Sequence, residues 1–298
     1  MMSAHVHPDP AAGPGPAAVA AAAAAVLGVA VYLLAARRLR RRGDRWPRWR
    51  DGSFSLGGAG VASAANLPLP GGPYTAHMVQ HLVLGMAAPL LLVLARPLTL
   101  ALRTAGPGRP RRGLVALSRS RPVHWLVFPP LAALLDIGGL WLLYRTRLFA
   151  ATQDTPWVHA LVHAHVLAAG LLFSFAVCRL DPVRRRWGVA VRGGSLLAAG
   201  AAHAVLAKTL YAQPPPGTAF AAADLQMGAQ VMYYGGDLVE AALAAVVAAS
   251  WYRARHRPAR YAARALSGRA GGRRWDDEAR VGAGRTSGRA SHTPASAG

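Results

Sequence analysis

The sequence predicts an all-α, polytopic integral membrane protein with seven transmembrane helices, its N-terminus outside and its C-terminus in the cytoplasm. Three observations predict it. Of 298 residues, 53% are hydrophobic and only 15% charged, with a positive mean hydropathy, the balance of a membrane protein with polar ends. Six apolar runs reach the roughly 20 residues that a spanning helix needs. The arginines fall in blocks between those runs, where topology signals belong.

Residues 1–16 read as a short external N-terminus. The first run, 17–36, lacks a basic leader and is followed at once by RRLRRR. That order marks an anchor rather than a cleaved secretory signal. A second segment, SFSLGGAGVASAANLPL at 53–69, is short and weakly apolar. The positive-inside rule decides whether it spans. Eight arginines lie in 37–50, six in 103–121, five in 179–192 and eleven in 253–298, whereas 66–76 and 212–226 contain neither Lys nor Arg. All four blocks share the cytoplasmic side only if this segment crosses. The remaining runs are 76–95, 122–143, 157–178, 189–211 and 227–252, completing a membrane domain over 17–252. The tail, 253–298, is rich in Arg, Gly and Ser, and reads as a basic, disordered cytoplasmic extension.

The net charge of +22 does not indicate nucleic acid, because no nucleic-acid-binding motif accompanies the arginine blocks. The partner that this distribution implies is the lipid bilayer. One cysteine, Cys178, leaves no disulfide framework and no thiolate metal site. No P-loop, GxSxG or HExxH occurs, so the sequence offers no support for an enzyme.

The polar residues inside the spans carry the chemistry. His77 and His81, in HMVQH, and His159 and His163, in HALVH, are i,i+4 pairs, so both rings of each pair share one helix face. With the topology above, both pairs open their spans at the outer side. His203 lies about 12 Å below the outer end of the sixth span at 1.5 Å per residue. Small residues continue both faces, Gly85 and Pro89 after His81, Gly170 and Ser174 after His163, as at helix–helix contacts. On the last span Gln226, Gln230, Tyr233, Asp237 and Glu240 form one polar stripe. Such groups within a membrane need an interior or a partner, and Asp136 and Lys208 are candidates for pairing. Candidate metal ligands are therefore His77, His81, His159, His163 and His203, with Met78 and Met227 as thioether donors and Asp237 as a relay or supporting group. Structural hydrogen bonding for the histidines and ordinary packing for the methionines are the alternatives. Imidazole and thioether donors without thiolates suit copper better than magnesium or calcium.

The segment HMVQHLVLGMAAPLLLVLARPLTLALR, 77–103, closely resembles the signature of the CtaG-like cytochrome c oxidase assembly factors, and ADLQMGAQVMYYGGDLVEAALAAV, 223–246, resembles the last helix of that family. His77 and His81 match its HMxxH pair. Pro89, Pro97 and Leu98 match its downstream positions, and Asp237 matches its Gly-Asp. Arg96 departs from a usually small residue. Leu225 is inserted between Asp224 and Gln226, and Met232-Tyr233 replaces Met-Trp. The resemblance implies a bacterial plasma-membrane protein that assists maturation of cytochrome c oxidase, with oxidase subunits as partners. The implied role is to bind or deliver copper at the outer face as a metallochaperone, without substrate turnover. A copper transporter, a haem-binding membrane protein and a metal-free scaffold are the rival readings.

Overall fold

The computed structural model describes residues 15–64, 71–182 and 187–286, with 256–286 as backbone. His5, His7 and His292, the end of the weak 53–69 segment and three arginines of the 179–192 block lie outside the described residues. The described residues form helices and connecting turns, with no strand.

Proline starts most of these helices. Its fixed φ and missing N–H suit the first helical turn, where no intrahelical acceptor exists. It stands there in α1 (Pro16–Arg41), α3 (Pro73–Leu82), α5 (Pro97–Thr104), α8 (Pro129–Arg145) and α10 (Pro156–Cys178). The other helices are α2 (Arg48–Ala64), α4 (Ala88–Leu94), α6 (Arg109–Arg119), α7 (Arg121–Leu126), α9 (Leu148–Asp154), α11 (Val189–Ala212) and α12 (Ala222–Thr286). Helix α12 runs on past residue 252. Two compact units divide the chain, Met1–Val247 and Ala248–Gly298.

Five stretches are long and apolar enough to cross a membrane: Pro16–Arg41, Pro73–Thr104, Pro156–Cys178, Val189–Ala212 and Ala222–Arg255. That is two fewer than the arginine pattern predicts. The expected fourth span, 122–143, is broken by Pro129-Pro130 into α7 and a 17-residue α8, because proline forbids the preceding residues a continuous helix. Helix α2 is also 17 residues, at the lower limit for a span.

Both short helices nonetheless run alongside the longer ones. Asp44, in the turn after α1, pairs with Arg103 at 2.8 Å, and Tyr32 donates to the Ala95 carbonyl at 2.9 Å. The arginine blocks at 37–50 and 103–121 thus adjoin. From that end, α2 passes Leu91, whose carbonyl accepts from Ser53. It then passes Val83, which lies against Gly60. Val61 and Ala64 reach the core that holds Tyr74 at the start of α3. Helix α8 begins where Phe128 meets Trp187, 4.6 Å between ring centres, and ends with Tyr144 against His77.

Two helix starts are closed by carboxylates from distant sequence. Asp224 accepts from the backbone N–H groups of Tyr74 and Thr75 at 2.9 Å, and from the Thr75 hydroxyl. Asp181, in the α10–α11 connection, accepts from the Thr99 N–H at 2.8 Å and from the Thr99 hydroxyl. Each supplies the N-cap acceptor that the local sequence lacks. Burial pushes the Asp181 carboxyl above its usual range, opposed by the Thr99 hydrogen bonds. The residue before Pro97, Arg96, has φ of 54°, a left-handed conformation that costs a side chain about 1–2 kcal/mol. Glycine alone adopts it without that cost.

Candidate functional site

Helix α3 does not pass directly into α4. Between them Val83–Ala87 forms a π-helical turn, in which the Ala88 N–H donates to the Val83 carbonyl. Such turns insert one residue into a helix and recur at functional sites. Here the turn begins two residues after His81, and α10 packs onto it. Gly170 lies so close to the Gly85 carbonyl that no Cβ fits between them. The two small-residue faces read from the sequence therefore meet, and the meeting aligns the histidines of α3 and α10.

Five histidines on three helices form a file. The rings of His159 and His163 are 4.1 Å apart between centres, and His163 and His77 are 6.3 Å apart. One turn further in, His81 and His203 are separated by 6.2 Å. His77 Nε2 is hydrogen-bonded to the Tyr144 hydroxyl at 3.0 Å, which fixes its ring. His203 Nδ1 faces Glu240 Oε1 at 3.5 Å. Gly236 makes room for the His203 ring and Gly200 for the Glu240 carboxylate. Both ring nitrogens of His81 and the Nε2 of His203 are buried without a hydrogen-bond partner. An unpartnered buried polar atom is costly, so this pair is short of a ligand.

The five rings do not close on one point. Among the described residues no three His, Cys, Asp or Glu side chains are grouped to hold a metal ion. The fit to a metal is pairwise. Two imidazoles in line across one ion have ring centres about 6 Å apart, given a metal–nitrogen bond of about 2 Å. The pairs His77–His163 and His81–His203 match that spacing.

The two methionines among the sequence candidates lie apart, whereas Asp237 lies near enough to His203 for its charge to be felt there. Met78 is fully buried in the apolar core, beside Gly228 of α12. Met227 is about half exposed. Asp237 is exposed, as are Gln226, Gln230 and Lys208, while Lys208 stands 5.5 Å from the Tyr233 ring. The carboxylate that meets a histidine is Glu240, one turn beyond Asp237. Tyr144 was not among the sequence candidates. Its position beside Arg145, at the end of an apolar run, gives no sign of the histidine that it holds.

The chain is 30% identical over 257 residues to the uncharacterized protein ML1998 of Mycobacterium leprae, covering 78% of this chain and 38% of that protein. It is 35% identical over 187 residues to the uncharacterized proteins Mb0105 of Mycobacterium bovis and MT0111 of Mycobacterium tuberculosis, covering 58% of this chain and 28% of each. The chain thus spans less than two fifths of the length of the curated relatives it matches. No solved structure matches it. The model of one family matches residues 30–254, which contain every histidine of the file, and the chain belongs to that family, the cytochrome c oxidase caa3 assembly factors (Caa3_CtaG).

Proposed function

We propose that this protein assists assembly of cytochrome c oxidase by holding copper on the file His159, His163, His77, His81 and His203 and presenting it at the outer membrane face. The observation that carries the reading is the file itself. Five imidazoles from three helices stand in two groups, His159, His163 and His77 at 4.1 and 6.3 Å and His81 with His203 at 6.2 Å, in a chain with one cysteine. Copper here is cargo, and open, two-nitrogen positions suit a cation that must be given up again. Imidazole is a favoured copper donor. Tyr144 and Glu240 orient His77 and His203, as outer groups orient metal-binding histidines elsewhere. Met78, Met227 and Asp237 take no direct part in this scheme.

The reading includes seven crossings, with the N-terminus outside and the C-terminus in the cytoplasm. The course of α2 and α8 alongside the longer helices supports it, as does the adjacency of the first two arginine blocks. The membrane is the bacterial plasma membrane, and no reaction is catalysed. Oxidase subunits are the partners. Gln230 and Asp237, exposed on α12, are costly against lipid and suit a face covered by a partner helix.

Replacing His77 and His81 together by Ala is the test. Purified wild-type protein in detergent retains copper through gel filtration, and the double variant retains none. Undiminished copper in the double variant refutes the assignment.

A further inference from the structure

Glu240 and Asp136, from α12 and α8, line a small cavity together with His81 and His203. The space left for the centre of a ligand is about 20 Å³, enough for one water-sized species. Two of its walls are imidazoles at 5% and 4% exposure, and both nitrogens of His81 and Nε2 of His203 are buried without a hydrogen-bond partner. His203 turns Nδ1 toward Glu240, which leaves Nε2 as the free donor. This is the order carboxylate–histidine–ligand that metal sites use to fix a ring.

We infer that this cavity is a second, inner holding position for a single monovalent cuprous ion, bound between His81 and His203 and separate from the outer position at His159, His163 and His77. The inference rests on the copper reading above and adds where a second ion stands. A d10 monovalent cation accepts two nitrogen ligands in line, which the 6.2 Å ring separation provides. A divalent ion demands three or four ligands, and no such group exists among the described residues. Glu240 and Asp136 place two carboxyl groups beside a cation removed from water, without which a buried charge is costly. The outer rings stand nearest the start of α10 and the inner pair deeper in the bundle. The outer position thus exchanges with solvent or a partner, and the inner one stores.

Copper stoichiometry tests it. The full chain, in detergent and without oxygen, is equilibrated with cuprous ion buffered by a chromogenic chelator, then measured by elemental analysis and X-ray absorption. Wild-type protein should hold two ions with nitrogen ligands. His203→Gln should hold one, and His159→Ala with His163→Ala should hold one. Glu240→Gln, which keeps the shape of the side chain, should weaken the inner ion at least tenfold while leaving the outer ion unchanged. A wild type that holds one ion, lost in the outer variant and kept in His203→Gln, overturns the inner position while the copper reading stands. One ion lost in either variant shows a single shared centre and likewise overturns it. A wild type that binds no copper refutes both readings. Thermal melts of each variant identify any loss due to unfolding, and the Glu240→Gln result then decides.

Discussion

Asp224, in the first turn of α12, caps the N-terminus of α3 by accepting from the backbone of Tyr74, 150 residues earlier in the chain. The cap fixes the depth of α3, and therefore of His77 and His81, against the last helix. It connects two of the most separated parts of the membrane domain by three hydrogen bonds to one side chain.

Asp224→Ala should therefore cost about 1–2 kcal/mol, the value of a lost N-cap, visible as a lower thermal midpoint in detergent. Asp224→Asn keeps one acceptor oxygen and should lose about half as much. Equal midpoints for the wild type and Asp224→Ala would show that the cap contributes nothing.

Asp181 gives a contrasting expectation at the other end. Its folded carboxyl is raised by burial, so the folded state holds the proton more tightly than the unfolded state. This group's contribution to stability is therefore complete below the usual carboxylate range and declines as pH rises through it toward the raised folded value. Asp181→Asn retains an acceptor for the Thr99 N–H without a buried charge. At neutral pH it should match or exceed the wild type, and it should lose that part of the pH slope. Asp181→Ala should be destabilised by about 1 kcal/mol. Chemical unfolding at a series of pH values separates the three.

Gly170 and Gly28 form a matched pair of apolar-helix glycines. A Cβ at Gly170 overlaps the Gly85 carbonyl, whereas one at Gly28 meets nothing within 4 Å. Gly170→Ala should cost about 1–3 kcal/mol, as overpacking does, and should weaken copper retention by separating His163 from His77. Gly28→Ala should be neutral or stabilise by up to about 1 kcal/mol. Thermal midpoints and copper content of both variants check this.

Much of this architecture was legible in the sequence. The i,i+4 histidine spacing placed each pair on one face, and the small residues below them marked the faces that meet. Arginine blocks grouped the helix ends that Asp44 and Arg103 join. Which ring meets which was not legible, because His81 and His203 are brought together only by the tertiary packing of helices far apart in sequence. The trans caps escaped for the same reason, since Asp224 and Asp181 are far in sequence from the helices they close. The stripe on α12 was visible, but its division was not. Helical rotation exposes Asp237 and turns Glu240 inward to His203. The Pro129-Pro130 break shortened a span whose hydropathy reads as continuous.

The π-turn at Val83–Ala87 acts on all of this as a phase adjuster. One extra residue rotates everything before it by about 100° relative to everything after it. Asp224 clamps the stretch before the turn at Thr75, and α4 after it packs along α2, so neither half turns freely. The inserted residue takes up the angular mismatch between that clamp and that packing. The histidine face of α3 and the α2-facing side of α4 thereby each keep their own heading.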